Sequence, residues 1–104
     1  SQVELNLSNL PESYVMMQNF PNPFNPATKI KYSLPVSSSV NVSVYNSLGE
    51  LVSELVNKSQ PAGYYELNFN ASGLASGIYI YKIEALSIDG LKNFSDIKKM
   101  MLVK

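Results

Sequence analysis

Between Thr28 and Leu34 apolar and polar residues alternate: Ile30, Tyr32 and Leu34 fall between Lys29, Lys31 and Ser33. Successive side chains of an extended chain point to opposite faces, so this spacing predicts a strand with one wet face. Pro35 and Ser37–Ser39 end it. A second run sets Val40, Val42 and Val44 against Asn41, Ser43 and Tyr45, and Asn46–Gly49 supplies a turn. Between Glu50 and Val56 the residues Leu51, Val52, Leu55 and Val56 fit one helical face as well as a strand. Only seven residues separate the flanking turn signals there, which favours the strand.

Further along, Tyr65, Leu67 and Phe69 alternate with Glu66 and Asn68, followed by a small-residue loop with Gly73 and Gly77. The run from Ile78 to Leu86 is apolar on both faces at its start, as in a central sandwich strand. Asp89-Gly90 reads as a two-residue turn, and Phe94 to Val103 reads as the last strand. No segment forms a convincing amphipathic helix. About seven strands at this spacing predict an all-β fold, an antiparallel β-sandwich.

The beginning of the chain has no such period. Pro21, Pro23 and Pro26 lie within six positions, each removing a backbone donor and restraining its predecessor. The stretch is therefore extended and kinked, with Phe20 and Phe24 both available to enter a core. Residues 1–13 mix alternating apolar residues with Asn, Ser and Pro. They read as a linker from an upstream domain or a short edge strand, with the domain proper over residues 14–104. The chain begins at Ser1, so it is expected to be a piece of a longer protein.

A length of 104 residues with 45% apolar and 15% charged residues suits one globular domain with one core. Eight Lys balance eight acids and Arg is absent. Nucleic-acid binding is disfavoured, because it needs a cationic footprint and usually guanidinium forks. The sequence lacks Cys and His, which removes thiolate nucleophiles, imidazole bases and most zinc or copper chemistry. No window approaches ~18 uninterrupted apolar residues, so no membrane insertion by a helix is expected.

Catalysis would have to use carboxylates, Tyr, Lys or Ser. Glu50 and Glu54 on one strand would stand about 13 Å apart at ~3.3 Å per residue, beyond the roughly 5–9.5 Å of a glycosidase pair. Without His no triad of the usual kind can form. Enzymatic activity is not expected, and no catalytic residue, metal ligand or cofactor is assigned. Asn22, Asn25, Asp89 and Asn93 offer oxygen atoms but lack the acidic run of a calcium loop and read as turn residues. Five Asn-x-Ser triplets, at Asn6, Asn41, Asn57, Asn70 and Asn93, read as β-surface composition. Among Tyr64, Tyr65, Tyr79 and Tyr81, exposed rings on a sheet could stack on sugars. The alternative, which the general behaviour of Tyr favours, is half-buried packing with hydroxyls reaching water.

Four ordered blocks carry a family resemblance: QNFPNPFNPATKIKYSLP from Gln18 to Pro35, VNVSVYNSLGELVSELV, PAGYYELNFNASGLASGIYIYKIEA, and the terminal KKMMLVK. Together, over about Tyr14 to Lys104, they resemble the C-terminal sorting domains of type IX secretion cargo in Bacteroidota and relatives. The positions that carry the likeness are Asn22, Pro23, Phe24, Asn25, Pro26, Gly49, Gly63, Gly77 and Tyr79. Glu50 departs from it, since the family often has Arg after the Leu-Gly turn.

The resemblance implies a seven-stranded immunoglobulin-like sandwich that addresses an exported protein to the type IX translocon at the outer membrane. It implies passage through the periplasm to the outer-membrane surface or the exterior. A sortase-like cysteine peptidase would then remove the domain at or before its first residues. The implied partners are the translocon, that peptidase and an upstream cargo domain. Lys98, Lys99, Met100, Met101, Leu102, Val103 and Lys104 are the expected recognition segment, because an edge strand offers unpaired backbone groups to another sheet. The competing reading makes Met100 to Val103 core and the lysines a guard against aggregation. Edge strands also open a route to homodimers. The alternative function is a non-catalytic carbohydrate-binding or structural accessory module of a secreted enzyme.

Overall fold

The computed structural model describes residues 10–104. Seven strands follow in order: β1 (Val15–Met16), β2 (Ala27–Leu34), β3 (Ser38–Asn46), β4 (Leu51–Gln60), β5 (Gly63–Asn70), β6 (Gly77–Ser87) and β7 (Asn93–Leu102). They form a three-stranded sheet of order β1-β2-β5 and a four-stranded sheet of order β4-β3-β6-β7. Every strand pairing within the sheets is antiparallel. The all-β sandwich expected from the alternation is the observed architecture. The linker or edge strand anticipated over residues 1–13 falls mostly outside the described residues. Within residues 10–13 no strand forms, and Pro11 is buried.

The alternating apolar positions meet between the sheets. Ile30, Tyr32 and Leu34 face Val40, Val42, Val44, Tyr81, Ile83, Met100 and Leu102, all buried. Burying a side chain of this size stabilises the fold by roughly 1.5–3 kcal/mol. Polar atoms carried into this interior find partners: among the described residues no buried side-chain nitrogen or oxygen is left without one. Tyr32 donates its hydroxyl hydrogen to Gln60 Oε1, tying β2 to β4 across the sandwich. Its ring stacks on Tyr65 with centroids 5.2 Å apart.

Three local expectations are corrected. Of the two phenylalanines in the proline-rich stretch, only Phe24 enters the core, where it is 2% exposed; Phe20 is 79% exposed. Phe20 is held instead by a backbone pair with Lys29, which turns its ring outward. Asp89-Gly90 does not make a two-residue turn. The last β6–β7 pair is Leu86 with Asn93, and Ser87 N–H donates to the Lys92 carbonyl around a longer loop. Asp89 organises that loop by accepting from Ser87 Oγ at 2.6 Å and Leu91 N–H at 3.0 Å. These bonds, the one from Ser87 foremost, hold its carboxyl below the usual range. Finally, Tyr79 and Tyr81 do not send their hydroxyls to water. Tyr79 donates to the Ala75 carbonyl and Tyr81 to the Met17 carbonyl.

Candidate functional site

The expected recognition segment lies at the edge of the four-stranded sheet, because β7 pairs with β6 alone among the strands of that sheet. The alternation of a strand divides its side chains. Met100 and Leu102 are core, each 1% exposed, whereas Lys99, Met101, Val103 and Lys104 face solvent. Lys98 is half-buried and lies 3.7 Å from Asp96. The terminal residue is pinned: Lys104 N–H donates to Ser76 Oγ and its Nζ to the Ser72 carbonyl.

The backbone edge of β7 is only partly free. The proline-rich segment crosses from β1 and lies along the C-terminal half of β7. Phe24 N–H donates to the Met101 carbonyl and Val103 N–H to the Phe24 carbonyl, both at 2.9 Å, an isolated parallel bridge between Phe24 and Leu102. Asn22 Oδ1 accepts from Met101 N–H at 3.0 Å, and Gln18 Nε2 donates to the Lys99 carbonyl at 2.7 Å. The unpaired groups expected over Lys98–Lys104 are therefore taken up at Lys99, Met101 and Val103.

Local chemistry explains why the chain takes this course. Three prolines prevent a regular strand, so the segment bonds intermittently and recruits amide side chains. Its root is fixed by Tyr81, which donates to the Met17 carbonyl at 2.8 Å and accepts from Asn19 N–H at 2.7 Å. Burial pushes the Tyr81 hydroxyl up to about 12, although the Asn19 N–H favours the ionised form. Asn19 Nδ2 donates to the Pro21 carbonyl and to Thr28 Oγ1, which sets the kink. The Phe20–Pro21, Asn22–Pro23 and Asn25–Pro26 peptide bonds are cis. The Phe24 ring lies 6.1 Å from that of Phe69 on β5, filling the space between the sheets.

The motif positions are thus gathered more closely in space than in sequence. Asn22 and Phe24 touch β7, Gly77 pairs with Leu102, and Tyr79 pairs with Met100. Pro26 accepts from Ala71 N–H through its carbonyl, while Pro23 and Asn25 are exposed. Gly49 lies in the β3–β4 turn at φ +84°, where a side chain would be strained. Gly63 stands apart at the β4–β5 corner, paired with Leu34. Glu50 accepts a hydrogen bond from Asn46 Nδ2 at 2.8 Å. Sequence reasoning missed the amide contacts of Gln18 and Asn22 with β7 and those of Asn19 that set the kink. Asn and Gln in an aperiodic stretch gave no signal for them.

A sugar-stacking face built on Tyr79 and Tyr81 is not present, since both rings are buried, at 6% and 0% exposure. Tyr64 is the exposed tyrosine of that set, beside Val15 and Met17 on the outer face of the smaller sheet. Among the described residues no group of His, Cys, Asp and Glu is placed to hold a metal ion.

The chain is similar in fold to CopC from Methylosinus trichosporium OB3b, with a TM-score of 0.58 at 20% identity over 86% of this chain and 93% of that one. At that identity the likeness concerns the fold alone. No curated protein matches the sequence. The family model described as "Secretion system C-terminal sorting domain" matches residues 18–95, from the start of the proline-rich segment into β7, and stops before Lys98. The chain belongs to this family, the C-terminal sorting domains of type IX secretion.

Proposed function

We propose that this domain carries its cargo through the type IX translocon by presenting β7, with Lys98–Lys104, as the strand the translocon reads. The observation that carries this reading is the place of β7 at the rim of the larger sheet, its Lys99, Met101 and Val103 side chains facing solvent. Rim strands are where one protein adds a strand to another's sheet. On this reading the domain is an address and a substrate. It passes through the periplasm, reaches the outer-membrane surface or the exterior, and is removed by a sortase-like peptidase at or before residues 1–13.

Deleting Lys98–Lys104 from a full-length cargo tests the reading. Folded cargo should then accumulate in the periplasm and disappear from the cell surface, as measured by fractionation and surface labelling. Undiminished surface delivery of the truncated protein would remove β7 from the mechanism.

A further inference from the structure

The segment Gln18–Phe24 does for β7 what a neighbouring strand would do, but incompletely. Met101 turns both its N–H and its carbonyl away from β6, toward Asn22 and Phe24. Alternate residues of an antiparallel ladder direct their backbone groups the same way, so Ser95, Ile97 and Lys99 share this outward direction. The segment engages Met101, Val103 and the Lys99 carbonyl and then leaves the edge. Pro21 and Pro23 have no N–H to offer, and Asn22 contributes a side-chain oxygen where a strand would contribute a carbonyl. A regular strand laid along β7 would satisfy the same groups and continue to Ile97 and Ser95.

We infer that Gln18–Phe24 is a displaceable clasp, and that a partner docks an extended strand on β7 by taking the clasp's place. This rests on β7 being the recognised strand and adds how that strand is guarded. The chemistry of the partner follows from what the clasp leaves behind. It is an extended segment without proline at the bonded positions, carrying a large apolar side chain for the seat that Phe24 occupies against Phe69. Filling that seat again keeps the exchange from opening a cavity in the core. The exposed outer sides of Gln18, Asn22 and Pro23 give such a strand access to the clasp before it is released.

Asn25 and Val103 flank the Phe24–Leu102 bridge, and both are exposed. The double variant Asn25→Cys/Val103→Cys in a cargo fusion can bond only to itself within the domain, which has no native cysteine. The oxidised pair should lower surface delivery by about tenfold or more relative to the same protein reduced, since a ligand shifts only a state that can be reached. Equal delivery in the two redox states overturns the clasp. If deletion of Lys98–Lys104 blocks delivery while the oxidised pair passes freely, the clasp fails and recognition of β7 stands. If the deleted protein is delivered normally, both fail.

A second measurement needs no variant. In the unmodified chain the amide of Met101 should exchange with solvent by local opening, roughly tenfold or more faster than that of Ile83 in the middle of β6. Exchange of Met101 as slow as that of Ile83 overturns the clasp.

Discussion

The two long flanks of the sandwich are finished by different means. On the side of β1 and β7 an irregular segment is drawn across the rim. It is anchored by Phe24 in the core, by Tyr81 at its root and by amide side chains along β7. On the side of β4 and β5 no segment among the described residues crosses, and the strands manage alone. Against β3, β4 skips a partner at Leu55 and again at Val52, two bulges that bend it and spoil it as a template. β5 runs without a bulge, its outward Glu66 between Lys29 and Lys31 of β2 at 3.6 and 3.7 Å. Closing a rim with a segment demands particular residues, whereas bending it demands only an extra one. Substitutions should therefore be felt far more strongly on the first flank.

The largest expected effect is at the anchor. Phe24→Ala should lower stability by about 3–5 kcal/mol, the usual loss for a buried phenylalanine, measured by urea or thermal unfolding. A loss below about 1 kcal/mol would mean that the clasp is not part of the core and that the flanks are alike.

Alkali probes both flanks at once, since Tyr81 ties the clasped side and Tyr32, through Gln60, the open one. Burial pushes both hydroxyls up to about 12, against ~10 in an unfolded chain. Below about pH 10 both states keep the protons and stability is intact. Between about pH 10 and 12 only the unfolded chain releases them, so stability should fall across that window. A flat unfolding free energy from pH 9 to 12 would show that the rings are wet.

Tyr81→Phe separates the flanks. It leaves Asn19 N–H and the Met17 carbonyl without their partner and should cost about 1–3 kcal/mol. Glu66→Gln, which disrupts two exposed ion pairs on the outer face of β2 and β5, should cost no more than about 0.5 kcal/mol per pair. Equal losses in chemical denaturation would erase the distinction.

The legible and illegible parts of the sequence divide along the same line. Ile30, Tyr32 and Leu34, and Val40, Val42 and Val44, sit where a period of two puts them, because β2 against β5 and β3 against β6 are unbroken ladders that turn these residues into the core. The helix-like spacing of Leu51, Val52, Leu55 and Val56 has a cause in the bulges: each adds one residue and resets the alternation. Phe20 and Phe24 could not be told apart, since their fates depend on a backbone pair with Lys29 and a bridge to Leu102 far away in the chain. The place of β7 at a rim was legible from its position and lysines. Its cover was not, because no local pattern announces a contact between Asn22 and Met101.

That contact joins residues 79 positions apart. The rim of the larger sheet thus acquires its finished outline only after β7 has been made and has met a stretch synthesised before β2. A domain cut short before β7, or one whose proline-rich stretch has gone astray, cannot display the completed outline. An export signal built this way certifies a whole domain along with its destination.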